Sequence, residues 1–227
     1  MFDEVLLYLA ETGEEGEVLR FWESLDLFVV LGRISNPFDD LNIDSTRRDD
    51  ILVLRRSSGG GTVLQGRGCL NYSLVLSKER NPQLQVLRAS YEFILGKIIS
   101  ALKKISVGAV FKPISDIAAA ADEKKFSGNA QRRGRKFILH HGTILYDFDL
   151  TLIEKYLKMP KQVPEYRRNR SHSEFLTNIP ILPKEFKEAL KDVFGVRQVQ
   201  KHLTPREEVC LNDFLRTKRH AVDISSD

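Results

Sequence analysis

The run with the clearest chemical potential is Arg55-Arg56-Ser57-Ser58-Gly59-Gly60-Gly61-Thr62-Val63, directly after the apolar stretch Ile51–Leu54. Consecutive glycines let the backbone approach a ligand closely and adopt positive φ. Their N–H groups can then cradle an anion. An adjacent arginine adds a forked permanent charge suited to carboxylate or phosphate. The run does not match GxxxxGK[ST], which argues against a P-loop NTPase. Its purely structural reading is a bulge or tight turn.

Two further stretches carry polar chemistry. In Lys125-Phe126-Ser127-Gly128-Asn129-Ala130-Gln131, strand alternation would put Lys125, Ser127 and Asn129 on one face. A lysine beside an anion loop could stabilise charge developing on a phosphate or acyl oxygen; taken alone, it reads as a surface lysine of a hairpin. In Leu139-His140-His141-Gly142-Thr143, the adjacent histidines must point to opposite strand faces. They cannot share one metal from a common face. Cys69 follows the glycine loop. As a nucleophile it would need an activating base and a lowered pKa, and the sequence shows neither.

The elements that must position these residues are those of an α+β fold. Short β-branched runs at Leu27–Leu31, Ile51–Leu54 and Asn71–Leu76 read as strands. Pro82 starts a long helix to about Lys104, with Leu84, Leu87, Tyr91, Ile94, Leu95, Ile98 and Leu102 at helical spacing. Val107–Phe111, Asp116–Ala121, a segment around Phe126 and Phe137–Leu145 read as strands, with a turn at Arg132–Arg135. Thr151–Leu157 reads as a helix, residues 158–180 as loop, and helices run from Pro183 to about Phe194 and, capped by Thr204, from Pro205 to about Lys218. The expected architecture is a mainly antiparallel, hairpin-rich sheet with packed helices.

Composition bounds the function. The 227 residues hold 35 Lys and Arg against 31 Asp and Glu, a net charge of +4, with 42% hydrophobic residues. That is a globular mixture. No stretch approaches the ~20 apolar residues of a membrane span, and Met1-Phe2-Asp3-Glu4 does not open a signal peptide. Two cysteines, Cys69 and Cys210, are too few for a disulfide framework or a four-ligand zinc site. A reducing, cytoplasmic setting is the expectation. The clusters Arg132, Arg133, Arg135, Lys136 and Arg167, Arg168, Arg170 read either as solvated turns or as a surface for an anionic partner. No nucleic-acid-binding signature accompanies them.

Taken in order, the motifs resemble the lipoate–protein ligase family, within the biotinyl/lipoyl ligase fold. The resemblance covers roughly residues 19–180. It runs from Leu19-Arg20-Phe21-Trp22 through Val29–Arg33, Asn36-Pro37 and RRSSGGG to Asn71-Tyr72-Ser73, Ser115-Asp116-Ile117, KFSGNA, HHGT and Arg167–Asn178. It implies a catalytic domain over 1–180, with 181–227 a C-terminal helical extension of the same domain. It implies an ATP-dependent enzyme that activates lipoate as lipoyl-AMP, with magnesium assisting, and transfers the acyl group to a lysine of an acceptor lipoyl domain. Lys125 is the implied catalytic residue. The implied lipoate and adenylate site comprises Trp22, Arg56, Ser58, Gly59, Gly60, Gly61, Thr62, Val63, Gln65, Asp116, Ser127, Gly128, Ala130, His141, Gly142 and Thr143, with Asp116 also the implied magnesium ligand. In this picture Arg56 and the Gly59–Gly61 amides draw carboxylate and triphosphate together, and Val63 and Trp22 help form an apolar slot.

The sequence departs from the pattern at Gln65-Gly66, where many relatives carry His-Asp, and at Cys69, where many carry Asn. Both changes fall where the loop meets the acyl group. The family's usual further domain of roughly ninety residues is not in this sequence, so an accessory subunit is an expected partner; membrane and nucleic acid are not. Two alternatives remain: an octanoyl/lipoyl transferase working through a cysteine thioester, and a non-enzymatic basic binding module.

Overall fold

The computed structural model describes residues 1–161, 163–217 and 220–224. In chain order the elements are α1 (Phe2–Thr12), β1 (Val18–Trp22), β2 (Phe28–Leu31), α2 (Pro37–Asp40), α3 (Ile43–Arg48), β3 (Leu52–Arg55), β4 (Val63–Gln65), β5 (Cys69–Ser77), α4 (Leu87–Lys104), β6 (Ala109–Lys112), β7 (Asp116–Ala119), β8 (Lys125–Arg133), β9 (Phe137–Leu145), α5 (Thr151–Tyr156), α6 (His172–Phe175), α7 (Pro183–Phe194) and α8 (Pro205–Thr217). A six-stranded sheet has the order β1-β5-β9-β8-β7-β6 and is antiparallel throughout. A three-stranded sheet has the order β3-β2-β4, with β2 parallel to β3 and antiparallel to β4. The architecture is the expected α+β one.

The two faces of the large sheet do different work. Side chains alternate between them, and cross-strand partners share a face. One face carries Tyr72, Leu74, Ile117 and Ile144, which pack with Ile94, Leu95 and Ile98 of α4 and Phe186 and Leu190 of α7. On α4 the buried residues Tyr91, Ile94, Leu95, Ile98 and Leu102 fall at 3- and 4-residue intervals, a single apolar stripe. On the opposite face α1 covers Val75 and Leu139 with Leu6, Leu7 and Ala10. The small sheet joins Cys69 and Leu145 in a separate core with Val29, Leu31 and Leu64. The strip of that face between the two covers carries Asn71, Ser73, Gly128, Ala130, His141 and Thr143 by register.

Several sequence expectations shift. The helix expected from Pro82 divides: Pro82–Gln85 is a 3-10 turn, Val86 is extended (φ −102°, ψ 133°), and α4 starts at Leu87. The loop reading of 158–180 misses α6, which Ser171 and Glu174 cap reciprocally. The helix α1 has no counterpart in the sequence reading. Pro183–Phe194 and the Thr204 cap are found where expected; the Thr204 hydroxyl accepts the Glu207 N–H at 3.1 Å. Lys218, the expected end of the last helix, lies outside the described residues. No helix among the described residues is long and apolar enough to cross a membrane.

His140 and His141 face opposite ways, as alternation requires. His140 is fully buried on the α4 side, with Gln131 Nε2 3.1 Å from Nδ1 and Asn129 Oδ1 3.2 Å from Nε2. Burial, reinforced by the nearby His141, pulls its pKa down to about 3. The unfolded chain, with an ordinary histidine near 6.5, therefore binds more protons between the two values. Stability is full above pH 6.5 and is lost as the pH falls toward 3. Unfolding free energies from urea titrations at pH 7 and pH 5 are expected to differ by about 2 kcal/mol on this account, and His140→Gln is expected to flatten the difference.

Candidate active site

A single extra residue aims Lys125. Between β7 and β8 the register slips: Ile117 pairs with Ser127, but Ala118 pairs with Lys125, leaving Phe126 as the bulge. Lys125 therefore shares a face with Ala118, Asp116 and Gly128, and Ser127 takes the opposite one with Ile117. This corrects the expectation that Lys125, Ser127 and Asn129 share a face. Ser127 is 1% exposed and accepts from the Asn129 amide at 3.3 Å, in the α4-side core. Gly142 is on that side too: a Cβ there would meet Asn129 Oδ1 at 2.0 Å, so its glycine serves packing.

On the open face, Lys125 Nζ is 2.8 Å from Asp116 Oδ1. Tyr166 Oη donates to Asp116 Oδ2 at 2.7 Å. Burial, then the Asp116 charge, raises the Tyr166 phenol above its usual range, so it stays a donor. A Cβ at Gly128 would be 3.1 Å from Lys125 Nζ, so the amine curls over that glycine. Tyr166 was missed because it lies in a segment without periodicity.

The glycine run crosses the same strand. Gly60 has φ +85°, and a Cβ there would lie 3.6 Å from Ala130 Cβ. Gly128 and Ala130 are two residues apart on one face, about 7 Å. The Lys125 amine and the glycine loop therefore flank one strip of sheet. Arg56 serves the loop from within. Its guanidinium donates to Gly59 O and Gly61 O, both at 2.7 Å, to Ser58 Oγ at 3.0 Å and to Val30 O at 3.3 Å. Arg56 thus holds the loop carbonyls, and the N–H groups of Gly59, Gly60 and Gly61 have no acceptor among the described residues. Burial pulls the guanidinium pKa down to about 10, so it remains cationic at neutral pH. Thr62 is also spent structurally, donating to Asp40.

Two polar chains anchor the floor. Ser58 Oγ is 2.7 Å from His141 Nε2, and His141 Nδ1 is 3.6 Å from Asp3 Oδ2. Asp3 accepts from Arg20 at 2.7 Å and Ser73 at 2.7 Å. Burial raises its pKa, but His141, Arg20 and Ser73 outweigh burial and hold it well below the usual carboxylate range. Asp3 was also missed, because no motif marks it. In the second chain Gln65 donates to Thr143 at 2.8 Å, Thr143 to Asn71 at 2.6 Å, and Asn71 to Gln65 at 2.9 Å. Trp22, opposite Asn71, has a buried Nε1 with no partner among the described residues. Val63, half-buried, lies two residues before Gln65 on β4.

A cavity of about 790 Å³ opens beyond the loop, lined by Arg33, Arg55, Arg56 and Arg132 together with Ser57 and Gly59. Its field attracts anions. In the second arginine cluster, Arg167 and Arg170 serve as scaffolding: buried Arg167 donates to Arg170 O at 2.9 Å and stacks on Phe175, and Arg170 donates to Tyr166 O at 3.0 Å, while Arg168 is exposed and pairs with Glu123.

Asp116, the expected magnesium ligand, is engaged on both oxygens. Lys125 holds one and Tyr166 the other, and no group of three metal-ligating side chains occurs among the described residues. A cysteine nucleophile is unsupported. Cys69 is fully buried, and burial pushes its thiol up to about 12. Iodoacetamide treatment of the native protein is expected to leave Cys69 unmodified at neutral pH, with alkylation in urea as the control by peptide mass spectrometry.

Residues 1–195 match the lipoyl protein ligase A/B catalytic domain. The chain is 33% identical over 159 residues to a probable lipoate-protein ligase A of Mycoplasma pneumoniae, covering 70% of this chain and 45% of that protein. It is 30% identical over 152 residues to the human mitochondrial lipoyl amidotransferase, covering 64% and 37%. It thus spans about half or less of these curated relatives. Among solved structures, a bi-partite lipoate protein ligase from Thermoplasma acidophilum, studied with its E2 lipoyl domain, superposes with a TM-score of 0.77 at 21% identity, covering 96% of this chain and 88% of that one. A lipoate-protein ligase A bound with ATP superposes with a TM-score of 0.76 at 21% identity, covering the same shares. With the family model matching most of its length, the chain belongs to the lipoyl protein ligase A/B catalytic-domain family.

Proposed function

We infer that the protein is an ATP-dependent lipoate–protein ligase. The observation that carries this reading is the placement of the Lys125 amine and the glycine loop on one face of β8. Joining a carboxylate to a triphosphate requires cancelling their repulsion and fixing their approach. The free amides of Gly59–Gly61 offer donors to one anion, and Lys125 a charge to the other. The lipoate oxygen attacks the α-phosphorus, and the bond to pyrophosphate breaks. Lys125 stabilises the charge that builds on phosphorus, and then the charge on the carbonyl oxygen as an acceptor lysine displaces AMP. Asp116, pinned by Tyr166, holds Lys125 in place.

Trp22, Val63 and the Gln65–Asn71–Thr143 triangle are read as the acyl slot. A lipoyl domain is the proposed acceptor, consistent with the partner of the archaeal ligase it resembles in fold. Residues 181–227 are read as an extension of the same domain, since Phe186 and Leu190 enter the main core. The protein is incubated with lipoate, ATP and a lipoyl-domain acceptor, and the acceptor is read by intact mass. Acyl addition that disappears when ATP is omitted supports the reading. Absence of addition, with no lipoyl-AMP formed, overturns it.

A further inference from the structure

The arginine-rich cavity lies across the glycine loop from the Lys125 amine. Gly60 sits over Ala130, and Arg132 follows Ala130 on the same strand face, about 13 Å along β8 from Gly128. Two of the five arginines on its wall are spent on scaffolding. Arg56 holds the loop carbonyls, and Arg133 donates to Gln85 O at 2.9 Å and to Gln131 Oε1 at 3.2 Å. The other three keep donors open. Arg33 is exposed, and its guanidinium has no partner among the described residues. Arg55 reaches Gly32 O at 2.9 Å and Ser35 O at 2.7 Å through Nη1, which leaves Nε and Nη2 without an acceptor among the described residues. Arg132 Nη1 is 3.6 Å from Glu4 Oε2, too far for a hydrogen bond. Glu4 is the one carboxylate facing the five guanidiniums, and Ser57 adds a hydroxyl. His220 lines the same cavity. Its Nδ1 is 3.3 Å from Arg55 O, a carbonyl that can only accept, so that nitrogen carries the hydrogen. Its other ring nitrogen, Nε2, is buried with no partner among the described residues. Buried polar atoms are normally satisfied, and an oxygen-rich ligand in the cavity would supply what Nε2 lacks.

We propose that this cavity is a second anion site, distinct from the Lys125 centre, which binds a diphosphate group, either as free pyrophosphate or as the diphosphate of a nucleotide. A guanidinium edge takes a pair of phosphate oxygens. The open edges of Arg33, Arg55 and Arg132 around one space therefore match the oxygens of two linked phosphates better than those of one, and the excess positive charge of the wall matches a diphosphate better than a monoanion. At about 790 Å³ the cavity admits either source. The donors assigned to the ligase reading, the Gly59–Gly61 amides and Lys125, are not needed. The bound group would also tie two segments together. Arg55 N–H donates to His220 O at 2.8 Å, and Arg33 N–H donates to Ser58 O at 2.9 Å. A ligand held by Arg33, Arg55 and His220 thus braces the base of the glycine loop against the segment 220–224.

The test is calorimetric titration of the full chain with pyrophosphate, with inorganic phosphate as the comparison and no lipoate present. Pyrophosphate is expected to bind more tightly than phosphate, and its affinity to fall about 10–100-fold in Arg33→Ala and in Arg132→Ala, the loss of charged hydrogen bonds. Lys125→Ala is expected to leave that affinity unchanged. Arg33 is exposed and without a side-chain partner among the described residues, so its replacement is expected to keep the fold. Competition by ADP separates the two sources. Displacement of pyrophosphate by ADP supports the site with a nucleotide as its ligand, and failure of ADP to displace it supports the site with free pyrophosphate as its ligand. Absence of pyrophosphate binding, or an affinity no greater than that for inorganic phosphate, overturns the proposal. Binding that survives Arg33→Ala and Arg132→Ala but is lost in Lys125→Ala overturns it too, and places the anion at the ligase centre instead. None of these results depends on whether the chain ligates lipoate.

Discussion

Lys125→Ala is expected to lower lipoate-dependent ATP–pyrophosphate exchange by about 10²–10³, the cost of removing one preorganised charge from a reacting phosphate. The amine sits 2.8 Å from Asp116, whose side chain is 10% exposed, while the lysine side chain is 26% exposed. Removing it does not leave Asp116 bare, because Tyr166 Oη still donates at 2.7 Å. With Tyr166 still bonded to Asp116, the folded state is expected to persist by circular dichroism. Lys125→Arg separates charge from geometry. The longer planar group cannot curl over Gly128 as the amine does, so exchange is expected to stay low despite the retained charge. Near-normal exchange in Lys125→Ala would take the residue out of the reaction, whatever the fate of the fold.

How far the sequence reaches is visible at this residue. The types at 125, 116 and 128 were legible because glycine, lysine and aspartate at those spacings have few joint uses. Their common face was not, because strand alternation is a period-2 rule and one unpaired residue resets it. Phe126 is that residue, and the slip moved Ser127 from the expected site to the core. Alternation alone explains Gly142, which lies between His141 and Thr143 on the regular strand β9. A glycine between two site residues looks functional in sequence, yet it faces the Tyr72 and Asn129 side chains beneath the sheet. Arg56 shows a different limit. An arginine before a glycine loop advertises an anion, but the carbonyls of a sharply turned loop compete for the same guanidinium and win here. Asp3 and Tyr166 lie 138 and 50 residues from their partners His141 and Asp116. Only tertiary packing brings them in. What pattern could read was the apolar framework: α7 and β9 have the bounds their apolar periodicity and Pro183 implied.

Gly32→Ala is expected to disable the glycine loop from outside it. Gly32 follows β2, and a Cβ there would lie 2.0 Å from the carbonyl oxygen of Gly60 and 3.1 Å from its carbon. No rotamer relieves this clash, because the obstructing atoms are backbone on both sides. The loop must therefore lift. Its position is fixed by Arg33 N–H to Ser58 O at 2.9 Å and Arg56 N–H to Leu31 O at 3.0 Å, together with the Arg56 side chain on Gly59 and Gly61. A shift of about 1 Å in a positioning element costs on the order of 10²-fold in rate. The lipoate-dependent exchange rate is accordingly expected to fall about 10²-fold, with the affinity for ATP weakened in calorimetry. The large core, built on α4, α7 and the far sheet face, does not include Gly32, so the folded state is expected to persist by circular dichroism. A variant with unchanged exchange and unchanged ATP affinity would mean that the loop can move without consequence, and the amides of Gly59–Gly61 would then have no part in holding the anion.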